Sequence, residues 1–344
     1  MKLTAASCVA TLAAHTFATS TPTPSLSTQK AKFNWKSIKS VIAFGDSYTY
    51  VQGTLGRANY TFIGDAFNLS FTPEKLFSNR IVQNQTSTAQ GGPNWVEYLT
   101  GCGVAPGLHD PQSCKTQLWD FAYAGSNTVS QKNFTPAHWN HTVSFEQQIQ
   151  QFVDYGNPAL ETIRLKKKDA LIAIWIGIND INDLAHLRGK NATFAPLYET
   201  VQTYIFQSMD KIYDLGYKKF LFMNLPPLDR GPRPLVNTSL VASFNAIHAA
   251  HANAFQAKHD DATVLQYDVN GVLNNVLDNY QDYGFVNVTQ TCPGYNQPDI
   301  RTDPEKYGCG AGLDTYFWYD AGHLGSRTHK VFTKKLAKWL RMQK

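Results

Sequence analysis

Apolar residues along this chain follow two rhythms. Five short runs are continuous: 40–44, 118–122, 170–176, 220–224 and 263–267. Their β-branched and aromatic content fits strands better than helix segments. Continuous apolarity of that length predicts strands buried on both faces. Elsewhere apolar positions recur at helical spacing. Segment 144–155 sets Phe145, Ile149, Phe152 and Val153 on one face, and 197–215 does the same with Val201, Ile205, Met209 and Ile212. Segments 239–258 and 326–342 are two more; the last has Ser326 as its expected N-cap and Val331, Phe332, Leu336 and Leu340 as its inner face. Strands alternating with helices predict an α/β domain with a parallel sheet covered on both faces. Right-handed crossovers fix much of its topology. Loops leaving the C-terminal strand ends then gather along one edge, where ligands bind.

Composition narrows the picture. Hydrophobic residues at 43% of 344 suffice for a large core. Residues 33–344 read as a single domain, with no internal repeat, linker or appended binding module. Residues 1–18 read as a secretory signal, with Lys2, an apolar stretch over 3–14 and Ala18 before the cleavage point. Residues 19–32, rich in Ser, Thr and Pro, read as a flexible leader. No other segment carries about 18 consecutive apolar residues, so a soluble mature protein without a membrane anchor is expected. The net charge of +5 is mild, and Lys166, Lys167 and Lys168 read as a solvated loop rather than a nucleic-acid contact. Two stretches, 50–92 and 279–315, read as loop insertions, the first over the site.

Cysteines and sequons favour export. Cys8 leaves with the signal, and the simplest pairing of the rest is Cys102 with Cys114 and Cys292 with Cys309, although four cysteines allow three connectivities. Asn59, Asn68, Asn84, Asn133, Asn140, Asn191, Asn237 and Asn287 each begin an Asn-x-Ser/Thr glycosylation acceptor. That density implies a secreted, extracellular glycoprotein.

Four short motifs carry the chemistry: Phe44-Gly45-Asp46-Ser47-Tyr48-Thr49, Tyr123-Ala124-Gly125-Ser126-Asn127, Gly177-Ile178-Asn179-Asp180 and Asp320-Ala321-Gly322-His323. Ser47, Gly125 and Asn179 each follow a predicted strand, with a helix expected to start at Ser47. A serine hydroxyl needs a base beside it to act as a nucleophile. His323 is that base, and Asp320 is close enough in the chain to hold its Nδ1. The Ser47 and Gly125 amides and the Asn179 side chain are the oxyanion donors. The elbow Gly-x-Ser-x-Gly of the α/β-hydrolases is absent.

The four blocks in this order resemble those of the SGNH, or GDSL, hydrolases. The resemblance runs from Phe44 to His323. It implies a three-layer α/β/α flavodoxin-like sandwich around a central five-stranded parallel sheet. It also implies a cofactor-independent esterase with Ser47, Asp320 and His323 as its triad and Ser47, Gly125 and Asn179 as its oxyanion hole. Asp46 and Asp180 read as braces of the loops. The wider phrases, with Gly91-Gly92-Pro93-Asn94-Trp95 and Trp175-Ile176-Gly177-Ile178, resemble secreted fungal acetylesterases of carbohydrate esterase family 16. Those remove acetyl groups from hemicellulose saccharides. A monomer acting on acetylated oligosaccharides or other small esters is expected. A lipase or lysophospholipase of the same fold is the first rival, and a non-catalytic carbohydrate-binding protein the second.

Trp95, Trp139, Trp318 and Tyr319 are candidates for stacking on a sugar, whereas Trp175 reads as core. His138, His141, His248 and His251 read as solvated loop or helix residues, with no metal site expected.

Overall fold

The computed structural model describes residues 33–63, 69–189 and 192–343. The expected signal and leader, and the sequons at Asn68 and Asn191, lie outside the described residues. The five continuous runs form the strands β1 (Ser40–Gly45), β2 (Gln117–Asp120), β3 (Ala170–Trp175), β4 (Lys219–Met223) and β5 (Thr263–Tyr267). All pair in parallel, in the order β2-β1-β3-β4-β5. Every residue of β1 and β3 is buried, which is why both lack polar alternation.

Seven helices position the rest: α1 (Trp95–Thr100), α2 (Phe145–Gln151), α3 (Ile178–Arg188), α4 (Ala195–Asp214), α5 (Thr238–Lys258), α6 (Val269–Asp278) and α7 (Ser326–Met342). Helices α2, α3, α4 and α5 pack together on one side of the sheet, and α1, α6 and α7 on the other. The pleat sorts the contacts. Phe44 of β1 meets Phe145 and Phe152, while Trp175 of β3 meets Trp95 and Phe332. The result is a three-layer α/β/α fold.

Local differences from the sequence reading have physical causes. The helix expected over 144–155 passes through a π turn, Phe152–Gly156, and resumes as Asn157–Thr162. Pro158 has no N–H to donate, and the wider turn accommodates the gap. At α7 the N-cap is Gly325, not Ser326. The Ser326 hydroxyl instead donates to the Pro93 carbonyl at 2.7 Å, tying α7 to the segment before α1. The 50–92 stretch is not all loop: it holds the helix Pro73–Ser78 and the strands Gln52–Gly53 and Ile81–Gln83, which join Gly107–His109 in a small antiparallel sheet. Both local disulfides form, Cys102–Cys114 and Cys292–Cys309. Among the described residues no helix is long and apolar enough to cross a membrane.

Candidate active site

The strand order places the chain's switch point at β1, whose neighbours β2 and β3 lead in opposite directions. In open parallel sheets ligands bind beyond the strand ends at such a point. Ser47 follows β1, Gly125 follows β2 and Asn179 follows β3.

Ser47 lies on a single turn in which the Thr49 and Tyr50 N–H groups donate to the Asp46 carbonyl at 3.0 and 3.1 Å. No helix grows from it, contrary to the expectation. Residues 48–51 are all buried, and a helix rising at the sheet edge would turn one face to water. The Asp46 carboxylate accepts the Tyr48 N–H at 2.9 Å.

Asp320 and His323 occupy a tight loop between the strand Tyr316–Trp318 and α7. The Tyr319 N–H donates to the His323 carbonyl at 2.8 Å and closes the loop. Both Asp320 carboxylate oxygens lie 2.9 Å from His323 Nδ1, and Nε2 lies 2.8 Å from Ser47 Oγ. A proton held on Nδ1 leaves the Nε2 lone pair facing the hydroxyl. The Tyr48 hydroxyl donates to the Gly322 carbonyl at 2.6 Å, so the residue after the serine anchors the histidine loop. Burial would lower the His323 pKa, but the Asp320 charge and hydrogen bond outweigh it and raise it. Burial would raise Asp320, but the His323 charge and hydrogen bond outweigh it and keep it low.

Gly125 sits at φ +75°, and a Cβ there would lie 2.3 Å from Cζ3 of Trp139. Both the conformation and the contact require glycine. The N–H groups of Ser47 and Gly125 find no acceptor among the described residues. The Asn179 amide donates one hydrogen to the Ser126 carbonyl at 2.8 Å and has another to give. Asp180 accepts the Thr128 N–H at 2.9 Å and the Thr128 hydroxyl at 3.1 Å, fastening the Gly125 loop to α3. Burial pushes the Asp46 and Asp180 carboxyls up to about 7.

Two buried amides hold these loops together, and the sequence reading missed both. Gln148 exchanges hydrogen bonds with Gly45, accepting its N–H at 3.1 Å and donating to its carbonyl at 2.9 Å, and also donates to Ser126 Oγ at 2.9 Å. Its signal was a polar residue on the apolar face of a helix, three positions after Phe145. Gln90 donates to the Ser47 carbonyl at 2.9 Å, and nothing in its polar surroundings marked it.

The aromatic candidates divide sharply. Trp95, Trp318 and Tyr319 are 0%, 1% and 7% exposed and cannot serve as open stacking platforms. Trp95 donates to Thr49 Oγ1, Trp318 donates to the Val288 carbonyl, and Tyr319 is wedged between Gly91 and Tyr295. Trp139 is 41% exposed and stands beside Gly125, with its ring parallel to His141 and edge-on to Tyr60.

The other four candidate histidines all hold hydrogen bonds, and of the four only His248 is buried away from solvent. His138 bonds Asp183, His141 meets the Tyr123 hydroxyl, His251 bonds Glu199, and buried His248 bonds Gln202. Among the described residues no group of three or more His, Cys, Asp or Glu side chains could hold a metal ion. Of the described sequons, Asn59, Asn84, Asn133, Asn140 and Asn237 are exposed and Asn287 is half-buried.

Comparison with known proteins follows the same lines. The family model described as GDSL-like Lipase/Acylhydrolase matches residues 41–336. An acetylesterase of Thermothelomyces thermophilus is 27% identical over 266 residues, covering 74% of this chain and 78% of its own. The GDSL esterase/lipase APG of Arabidopsis thaliana is 22% identical, covering 87% and 90%. Among solved structures, the acetyl xylan esterase AlAXEase aligns over 87% of this chain and 98% of its own at 11% identity, with a TM-score of 0.39, too remote to carry argument. The chain belongs to the GDSL-like lipase/acylhydrolase family and is a carboxylic ester hydrolase.

Proposed function

We propose that this esterase is secreted and removes acetyl groups from acetylated hemicellulose saccharides through an acyl-serine intermediate. The observation that carries the mechanism is the unbroken relay from Ser47 Oγ to His323 Nε2 at 2.8 Å and from Nδ1 to Asp320 at 2.9 Å. Ser47 Oγ attacks the ester carbonyl carbon while its proton passes to His323. The Ser47 and Gly125 amides and the Asn179 side chain donate to the developing oxyanion. The alcohol leaves with the proton from His323. Water, deprotonated by the same imidazole, then releases acetate.

The reading of acetyl over longer acyl groups draws on the named relative and on Trp139. Its indole, pressed on Gly125, walls the space beside the oxyanion donors, and its 41% exposure leaves part of the ring to meet a sugar. The exposed sequons and the two disulfides support secretion and glycosylation.

Proton NMR of an acetylated xylo-oligosaccharide mixture with the purified enzyme tests this reading, because free acetate and the position losing it are both visible. Activity on p-nitrophenyl esters that rises from acetyl to octanoyl would favour the lipase or lysophospholipase alternative. No adduct with a serine-directed organophosphate would favour the non-catalytic one.

A further inference from the structure

The net charge of +5 is not spread evenly. A cavity of about 1150 Å³ lies between α7 and the segments carrying Gly91 and Tyr283, and its lining excludes Ser47, Asp320 and His323. It is lined by Arg301, Arg327, Lys330, Lys334 and Lys335 against one carboxylate, Asp314. Five cations facing one anion leave four positive charges around a single cavity, close to the excess of the whole chain.

These charges are poorly neutralised from within. Asp314 is already paired with Arg301 at 3.3 Å. Among the described residues Lys330, Lys334 and Lys335 form no ion pair, and Arg327 donates to the Tyr283 carbonyl, a neutral acceptor. Helix α7 contains no Asp or Glu. Its cations at positions 330, 334 and 338 follow one another at spacing i,i+4, where like charges destabilise a helix. Arg327 and Lys330 stand in its first turns, where the dipole disfavours cations. An isolated helix would gain by losing them. Two tyrosines fix the ammonium groups in place instead: Lys330 Nζ lies 5.7 Å above the Tyr98 ring and Lys335 Nζ 5.0 Å above the Tyr283 ring. Cation–π contact positions a charge without cancelling it.

We propose that this groove binds an acidic saccharide, a short chain bearing uronate carboxylates. The charges line a concavity, which suits a flexible chain of a few sugar rings better than a flat membrane or a nucleic-acid duplex. Helical cations about 5–6 Å apart meet carboxylates carried at intervals along such a chain. One strap of backbone separates the groove from the nucleophile: Gln90 donates to the Ser47 carbonyl, while Arg301 donates to the Gly91 carbonyl at 2.6 Å. A saccharide anchored there lies next to the catalytic edge without entering it. The assignment does not rest on the acyl group cleaved.

Isothermal titration of the purified protein, with its own glycans because Asn84 opens onto the same groove, checks this with oligogalacturonates and neutral xylo-oligosaccharides. The oligogalacturonates bind and neutral chains of equal length do not, and added salt weakens the binding. The variant Lys330→Gln/Lys334→Gln/Lys335→Gln binds roughly tenfold more weakly, with kcat on p-nitrophenyl acetate unchanged as the check of folding. Lys334→Gln alone, at an exposed position, gives a smaller loss in the same direction. Equal affinity for neutral chains, or an unaltered affinity in these variants, overturns the assignment. So does tighter binding of an oligonucleotide or of phosphatidylcholine–phosphatidylserine vesicles.

Discussion

His323 and His329 sit six residues apart, one in the loop before α7 and one in its first turns, and both rings lie against Tyr48, at 5.5 and 6.1 Å. Their protonation is driven in opposite directions. His329 is fully buried, with no carboxylate bonded to it, and its Nδ1 accepts the Trp95 N–H at 3.2 Å. Burial, helped by the neighbouring His323 charge, pushes its pKa well below the ordinary histidine value. His323 is partly exposed but also loses hydration, and the Asp320 carboxylate outweighs that loss. Burial without a charged partner depresses one imidazole; a bonded carboxylate raises the other and fits it for the base role proposed above.

Substitutions that remove the reacting parts break this comparison most. Changing His323 to Ala should reduce kcat by about 10⁵-fold or more, with Ser47→Ala equally severe, since parts of one relay fail together. His329→Leu should leave kcat on p-nitrophenyl acetate within a few-fold. It strands the buried Trp95 N–H, so urea unfolding should show a loss of about 1–3 kcal/mol. Equal rate losses at both positions would dissolve the distinction.

Asp320→Asn isolates the carboxylate. It should lower kcat by about 10⁴-fold through the wrong tautomer. Because Asp320 raises the His323 pKa, the acid limb of kcat/KM should also move to lower pH. A pH–rate profile of the two enzymes reads both effects. Asn179→Ala should cost less, about 10²–10³-fold in kcat with little change in KM, because in the proposed mechanism its amide acts on the oxyanion and not on the proton. Pre-steady-state acylation rates check that split.

Much of this was legible in the sequence because the sheet is simple. All five strands were visible as apolar runs, since burial on both faces removes any need for polar alternation. The motif residues follow three of those strands, so topology alone delivers them to one edge. Helices α1, α3 and α6 were not visible; α3 opens Ile178-Asn179-Asp180, where polar residues serve the loops rather than an amphipathic stripe. The aromatic reading failed at Trp95, Trp318 and Tyr319 because residue type does not report burial. Trp95 is directed inward by a capping box of Asn94 and Glu97, a pattern the sequence carries but proximity to a motif obscured. Gln90 and Gln148 depend on partners 43 and 103 residues away, which no local pattern can supply.

The smallest effect concerns pH and stability, and it separates His323, the proposed base, from the buried acids. Asp46 and Asp120 each have one oxygen accepting an N–H and the other buried without a partner, an arrangement that favours the neutral acid. Burial pushes Asp46 up to about 7 and Asp120 well above its ordinary value. A carboxyl whose folded pKa exceeds the unfolded one stabilises fully below the unfolded value, near 3.8, and loses that contribution as pH rises through the folded value. Asp180 adds in the same sense. His248 and His329, both depressed, oppose the trend only below about 6.5, where the unfolded chain begins to protonate. The melting temperature should therefore rise from pH 8 to pH 6.5 and more gently below that. The rate, which on the proposed mechanism needs neutral His323, should fall over the same interval. Asp120→Asn should flatten the melting curve against pH, because its amide still accepts the Ala122 N–H but cannot titrate, and should leave the acid limb of kcat/KM where it was. Differential scanning calorimetry across that range, beside the pH–rate profile, distinguishes the two; a melting temperature insensitive to pH in the wild-type protein would mean the buried carboxyls ionise in the fold as they do in water.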